Sequence, residues 1–148
     1  MSEIARQLEH SVEADVSLPF AWSFRIDVAN WNDPPAKFSL DGPFAAGSRG
    51  TTLLPDTAPL HWTVREFQPG NSFIIEMQLD RALLSFDWRF DALSEHRTRL
   101  TQRIVLSGDN AAAFAAQVEA GFGSNLASGM KRIAAEMAAA SKHAMSNS

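Results

Sequence analysis

Two hydrophobic periods divide this chain, and together they leave few ways to fold it. Leu84, Phe86, Trp88 and Phe90 fall on every second position, with Ser85, Asp87, Arg89 and Asp91 between them. Leu100, Gln102, Ile104 and Leu106 repeat the pattern against Thr101, Arg103 and Val105. Alternation of this kind marks a half-buried strand, because successive side chains point to opposite faces. From Phe114 onward the spacing changes. Phe114, Val118, Phe122, Leu126, Met130, Ile133 and Met137 lie three or four residues apart, which is one apolar stripe on an amphipathic helix. A sheet with one apolar face and a helix with one apolar stripe each need a partner, and here each can serve the other.

The rest of the chain fits that plan. Leu8–Val16 alternates, with Leu8, His10, Val12, Ala14 and Val16 on one face. Ser17 offers an N-cap and Pro19 sits in the first turn, where a missing N–H costs nothing. Phe20–Ala29 then reads as a short helix, with Trp22, Ile26 and Ala29 at helical spacing. Asn30-Trp31-Asn32-Asp33-Pro34-Pro35 stops it and predicts a loop or a second brief helical turn. Further strands are expected at Lys37–Asp41, Gly47–Leu54, Leu60–Phe67 and Phe73–Leu79. The turns between strands fall at Gly42-Pro43, Gln68-Pro69-Gly70-Asn71 and Ser94-Glu95-His96. Close spacing and turn chemistry predict an antiparallel meander.

Gly108, Asp109 and Asn110 supply the start of the last helix. If continuous over 111–142, it would be about 48 Å long. Gly121, Gly123 and Gly129 interrupt its Ala-rich sequence, each at a cost of roughly 1 kcal/mol against Ala. They predict either a kink with close helix–sheet packing or room for a ligand beneath the helix. The polar ends, Met1–Gln7 and Ser141–Ser148, are expected to fray, leaving an ordered part of about 8–140. The expected fold is α+β: a curved antiparallel sheet of about seven strands wrapped around a long C-terminal helix, with two short helices after the first strand. With 148 residues and no internal repeat, one domain over 1–148 is expected.

Composition removes several chemistries. The chain has no Cys, so it has no disulfide, no thiolate nucleophile and no zinc-thiolate or iron–sulfur ligation. It has no Tyr, so no phenol can act as acid or base. None of the four histidines, His10, His61, His96 and His143, is spaced i,i+4 to another, and no metal site is expected. No Gly-x-Ser-x-Gly elbow or Walker phosphate loop is present, and Gly121-Phe122-Gly123-Ser124 lies within a helical pattern rather than after a strand. No cofactor is expected. The formal net charge is −4 and only Lys37, Lys131 and Lys142 are lysines, which argues against nucleic acid as a partner. No apolar run approaches the roughly 20 residues of a membrane span. Residues 1–10 carry no secretory apolar stretch, so the expected location is cytoplasmic. Monomer and homodimer are both compatible with this reading.

Twelve of the fourteen aromatic residues precede position 92. Trp62, Phe73, Phe86, Trp88 and Phe90 fall on the expected concave face, either as plain core or as the wall of an apolar pocket. Among polar residues on that face, Gln102 interrupts an apolar row, and a buried amide must find partners. Glu66 shares the parity of Trp62 and Val64; pointing inward, it could serve as an acid or base. His10 shares the inward parity of the first strand.

Several segments, in this order and spacing, carry a resemblance. They are Val12-Glu13-Ala14-Asp15-Val16 leading into Pro19 and Trp22, Ile26-Asp27 before Asn30-Trp31, and Gly42-Pro43-Phe44 with Gly47-Ser48. They continue with Trp62-Thr63-Val64-Arg65-Glu66 before Pro69-Gly70, Thr98-Arg99-Leu100-Thr101, and Gly129-Met130-Lys131-Arg132. From His10 to Met137 the chain resembles the START-like or SRPBCC superfamily, the helix-grip fold, and within it the polyketide cyclase/dehydrase branch. That superfamily includes lipid carriers, hormone receptors and aromatase/cyclases, so the fold alone does not choose a function. The resemblance implies an internal cavity for a small hydrophobic or polycyclic molecule. Its expected contacts are Trp22, Trp31, Trp62, Phe73, Ile75, Phe86, Trp88, Phe90, Gln102, Ile104, Phe122 and Leu126. A polyketide cyclase or dehydratase using Glu66, His10 or Gln102 is the alternative. A protein-interaction module without ligand is the third reading.

Overall fold

Strand alternation organises the molecule. The computed structural model describes residues 4–146. Seven strands form one sheet: β1 (Ile4–Ala14), β2 (Lys37–Asp41), β3 (Arg49–Leu53), β4 (Leu60–Gln68), β5 (Ser72–Leu79), β6 (Ala82–Ser94) and β7 (Arg97–Ser107). Their spatial order is β1-β7-β6-β5-β4-β3-β2 and every pairing is antiparallel. The meander therefore runs unbroken from β2 to β7, and the first strand closes on the last. Inward positions follow the expected parity. Leu84, Trp88 and Phe90 on β6 are buried, as are Leu100, Gln102, Ile104 and Leu106 on β7. The turn after β4 needs a left-handed residue, which Gly70 supplies at φ +76°. Of the ends expected to fray, Met1–Glu3 and Asn147–Ser148 lie outside the described residues. Ile4–Gln7 instead open β1, and the last helix runs through Ser146.

After β1, Ser17 caps helix α1 (Leu18–Arg25), its Oγ accepting from the Phe20 N–H at 3.3 Å. The helix is shorter than the expected Phe20–Ala29. Asp27 caps a separate 3-10 turn, Val28–Asn30, by accepting from the Ala29 N–H at 3.0 Å. This change of direction buries Ala21 and Trp22 and carries Trp31 back over the sheet.

The continuous helix expected over 111–142 is not observed. A 3-10 turn (Ala111–Phe114) leads into a single α-turn, α2 (Ala115–Val118). A π-turn (Glu119–Gly123) follows, and the long helix α3 spans Leu126–Ser146. The break lies where Gly121, Gly123, Ser124 and Asn125, all weak helix formers, follow one another. A Cβ at Gly123 would meet the Glu119 carboxylate at 2.5 Å, and that carboxylate is held by Arg6 of β1. The apolar stripe survives the break: Val118, Leu126, Met130 and Met137 are buried against the sheet. No helix among the described residues is long and apolar enough to cross a membrane.

Candidate functional site

The concave face of the sheet is not filled. A cavity of about 530 Å3 lies between the sheet, α3 and the loop after α1, within the size range of small-molecule sites. Each strand from β3 to β7 contributes to the wall, through Thr52, Trp62, Ile75, Phe86, Trp88 and Gln102 among others. The opposite side is Gly121, Phe122, Asn125, Leu126, Ser128, Gly129 and Met130 from the broken helical segment.

The aromatic part of the wall is layered. Trp62 lies across its register partner Gly50 on β3, where any Cβ would meet the indole at 2.2 Å. The Trp62 Nε1–H donates to Thr52 Oγ1 at 3.0 Å. Trp31 stacks on Trp62, with ring centroids 5.4 Å apart and planes inclined by 26°. The Trp31 Nε1–H donates to the Arg25 carbonyl at 2.7 Å, and the Asn30 amide donates to the Phe24 carbonyl at 3.1 Å. The loop after α1 is thus tied to the end of the helix that precedes it. The Arg25 guanidinium lies over the Trp31 ring at 4.7 Å and over the Trp88 ring at 4.3 Å. Trp62, Trp31, Arg25 and Trp88 thus form one chain of ring–ring and cation–ring contacts.

Arg25 is the residue that sequence reasoning missed. As a residue it is half-buried, but its Nε is sealed from solvent and has no hydrogen-bond partner. Burial lowers its pKa from the ordinary guanidinium range to about 9, with the Glu136 carboxylate on α3 partly opposing the shift. It therefore stays cationic at neutral pH. Glu136 itself faces Arg132, at 3.6 Å, and Arg132 also reaches Asp33 of the loop at 3.2 Å across the cavity rim. The signal for Arg25 was its position three residues after Trp22, which puts both on one face of α1.

Of the residues expected to contact a ligand, Trp31, Trp62, Ile75, Phe86, Trp88, Gln102, Phe122 and Leu126 line the cavity. Trp22, Phe73, Phe90 and Ile104 do not; they pack in the solid core. Trp22 meets Phe67, Phe73 and Phe90 at centroid distances of 5.5, 5.9 and 5.2 Å. Of the proton-transfer candidates, Glu66 points outward and is exposed. The reason is a bulge in β4: Val64 pairs with Ile75 but Glu66 pairs with Ile74, so Arg65 is the extra residue and the parity flips. Phe67 takes the inward place and pairs with Phe73. His10 is half-buried on β1, outside the cavity wall. Gln102 is in the wall beside its register partner Trp88, 9% exposed, and its amide bonds no other described residue.

No protein-family profile matches the chain, and no curated protein matches it in sequence. Solved structures do match. A norcoclaurine synthase point mutant from Thalictrum flavum, in complex with a transition-state analogue, superposes with a TM-score of 0.71 at 10% identity, over 96% of this chain and 98% of that one. The crystal structure of a protein from Nitrosomonas europaea gives 0.68 at 12% identity, over 88% and 93%. The ZhuI aromatase/cyclase from Streptomyces sp. R1128 gives 0.55 at 20% identity, over 70% and 68%. Seven antiparallel strands gripping a long C-terminal helix, with these neighbours, define the fold: it is the START-like helix-grip fold.

Proposed function

We propose that this chain binds a small, flat, hydrophobic molecule, polycyclic or polyketide-like, in the cavity beneath α3. The observation that carries the reading is the cavity of about 530 Å3 walled by Trp31, Trp62, Phe86 and Trp88. Flat aromatic walls favour flat aromatic ligands through offset and edge-to-face contact. The likeness to an aromatase/cyclase supports the same ligand class. Binding rather than cyclisation is proposed because Glu66 and His10 lie outside the wall, and the Gln102 amide does not exchange a proton at neutral pH.

Three of the four tryptophans line the cavity, so intrinsic fluorescence reports on it directly. Titration with the neutral three-ring probe anthracene-2-carboxamide is expected to quench emission saturably with one site per chain. Native mass spectrometry of the same sample should show the matching one-to-one adduct. A linear, unsaturable response with no adduct would sink the proposal.

A further inference from the structure

We infer that the molecule held in this cavity is an aromatic carboxylate, its acidic group bonded by the edge of the Arg25 guanidinium. The inference rests on the cavity reading above and narrows its ligand class.

The argument starts from what Arg25 has and lacks. Its Cζ lies over the Trp31 ring at 4.7 Å and over the Trp88 ring at 4.3 Å. A guanidinium offers its hydrogen bonds in its own plane, from five N–H donors in a fixed fork. Nε is shut away from water, and so from any guest, but the two terminal nitrogens are not sealed, and Arg25 has no ion pair among the described residues. The acid that influences it most, Glu136, makes its ion pair with Arg132. A half-buried cation whose terminal N–H groups have no protein acceptor gains from one, and a planar carboxylate is the group that a guanidinium fork fits two bonds at a time. The same cavity wall presents the unbonded Gln102 amide, a further donor for an anionic oxygen. A wholly apolar guest would fill the aromatic volume and leave these donors unmet. A flat ring system ending in a carboxylate satisfies both.

The test compares two probes of one shape, anthracene-2-carboxylate and anthracene-2-carboxamide, by tryptophan quenching at neutral pH. The wild-type protein is expected to bind the carboxylate about ten- to hundredfold more tightly, the range of a charge-assisted hydrogen bond. Arg25→Met is expected to abolish that preference, bringing the ratio of the two affinities to about one. Arg25→Lys, which keeps the charge and loses the fork, should retain part of it. Circular dichroism melts check that both variants fold, and the wild-type comparison decides the matter even if one does not. Equal wild-type affinity for the two probes overturns the inference and leaves the cavity reading standing. Equal loss of both probes in Arg25→Met also overturns it, because Arg25 would then only hold Trp31 in place. Failure of both probes to bind wild-type protein overturns the cavity reading and the inference together.

Discussion

The two ends of the concave interior are built from the same residue types and turn out differently. Under α1, Trp22 drops among Phe67, Phe73 and Phe90, and Phe44 closes on Phe73 with ring centroids 4.9 Å apart. That end is solid. Under α3, Trp31, Trp62, Phe86 and Trp88 surround empty volume. The aromatic side chains of the sheet do not make the difference, since both ends have them. What faces them does. Helix α1 sends down an indole, whereas the segment around the start of α3 presents Gly121, Asn125, Ser128 and Gly129. A Cβ built at Gly121 or at Gly129 meets nothing within 4 Å. The cavity exists where the helix withholds side chains, and a sheet that cannot reach across about 10 Å of interior does not close it.

This contrast can be broken from either end. The largest effect is expected at the solid one. Trp22→Ala removes the plug of a tightly packed cluster and should cost about 3–5 kcal/mol, lowering the melting temperature by about 10 °C. Probe binding should persist below the melt; loss of binding in a variant that melts like wild type would show that the two ends are one site. Next comes Gly50→Ala. The new Cβ would collide with the Trp62 indole, pushing it off Thr52 and out of the stack with Trp31, at a cost of about 1–3 kcal/mol. The variant should show altered tryptophan emission together with a lower melting temperature, and unchanged spectra would mean that the ring sits elsewhere in solution.

Gly129→Leu sharpens the comparison from the open end. Filling the space below α3 should weaken carboxamide binding at least about tenfold, roughly 1.4 kcal/mol. The melting temperature should hold or rise, because an interior helix glycine is replaced by a good helix former worth about 1 kcal/mol. A fall in stability would indicate that the space is already occupied by packed side chains. The smallest effect is expected outside the interior altogether. Glu66→Gln should leave probe affinity unchanged and shift stability by less than about 0.5 kcal/mol, as measured by titration and thermal melts. A large loss of affinity there would mean that the bulge in β4 does not point this carboxylate away from the cavity.

Much of the scaffold was legible in the chain. The alternation of Leu84 to Phe90 and of Leu100 to Leu106 named the inward face of β6 and β7 correctly, because period two is fixed by backbone geometry. The turn residues around Gly70 and Glu95 placed the hairpins for an equally local reason. Parity placed Trp62, Phe86 and Trp88 on the concave face, the resemblance implied a pocket there, and all three line the cavity. Parity failed at Glu66, since one extra residue in β4 reverses every assignment after it and nothing in the local composition announces a bulge. It could not separate Trp88 from Phe73 either, because both are inward and only their surroundings make one wall and the other core. The helical stripe was read correctly through Met137, while its continuity was not. The glycines at 121 and 123 signalled weakness, and a π-turn, held by Glu119 and Arg6 from opposite ends of the chain, is what they became.

By itself, then, the sequence determined the periods, the caps, the turns and the absence of thiol and phenol chemistry, all of which depend on residues close together along the chain. The tertiary structure alone decided where volume remains and which charge is left inside it. Arg25 meets two indoles that come from a loop six residues on and from a strand more than sixty residues away. Its desolvation is a property of that meeting, because the energy of a buried cation is set by everything that surrounds it rather than by its neighbours in sequence.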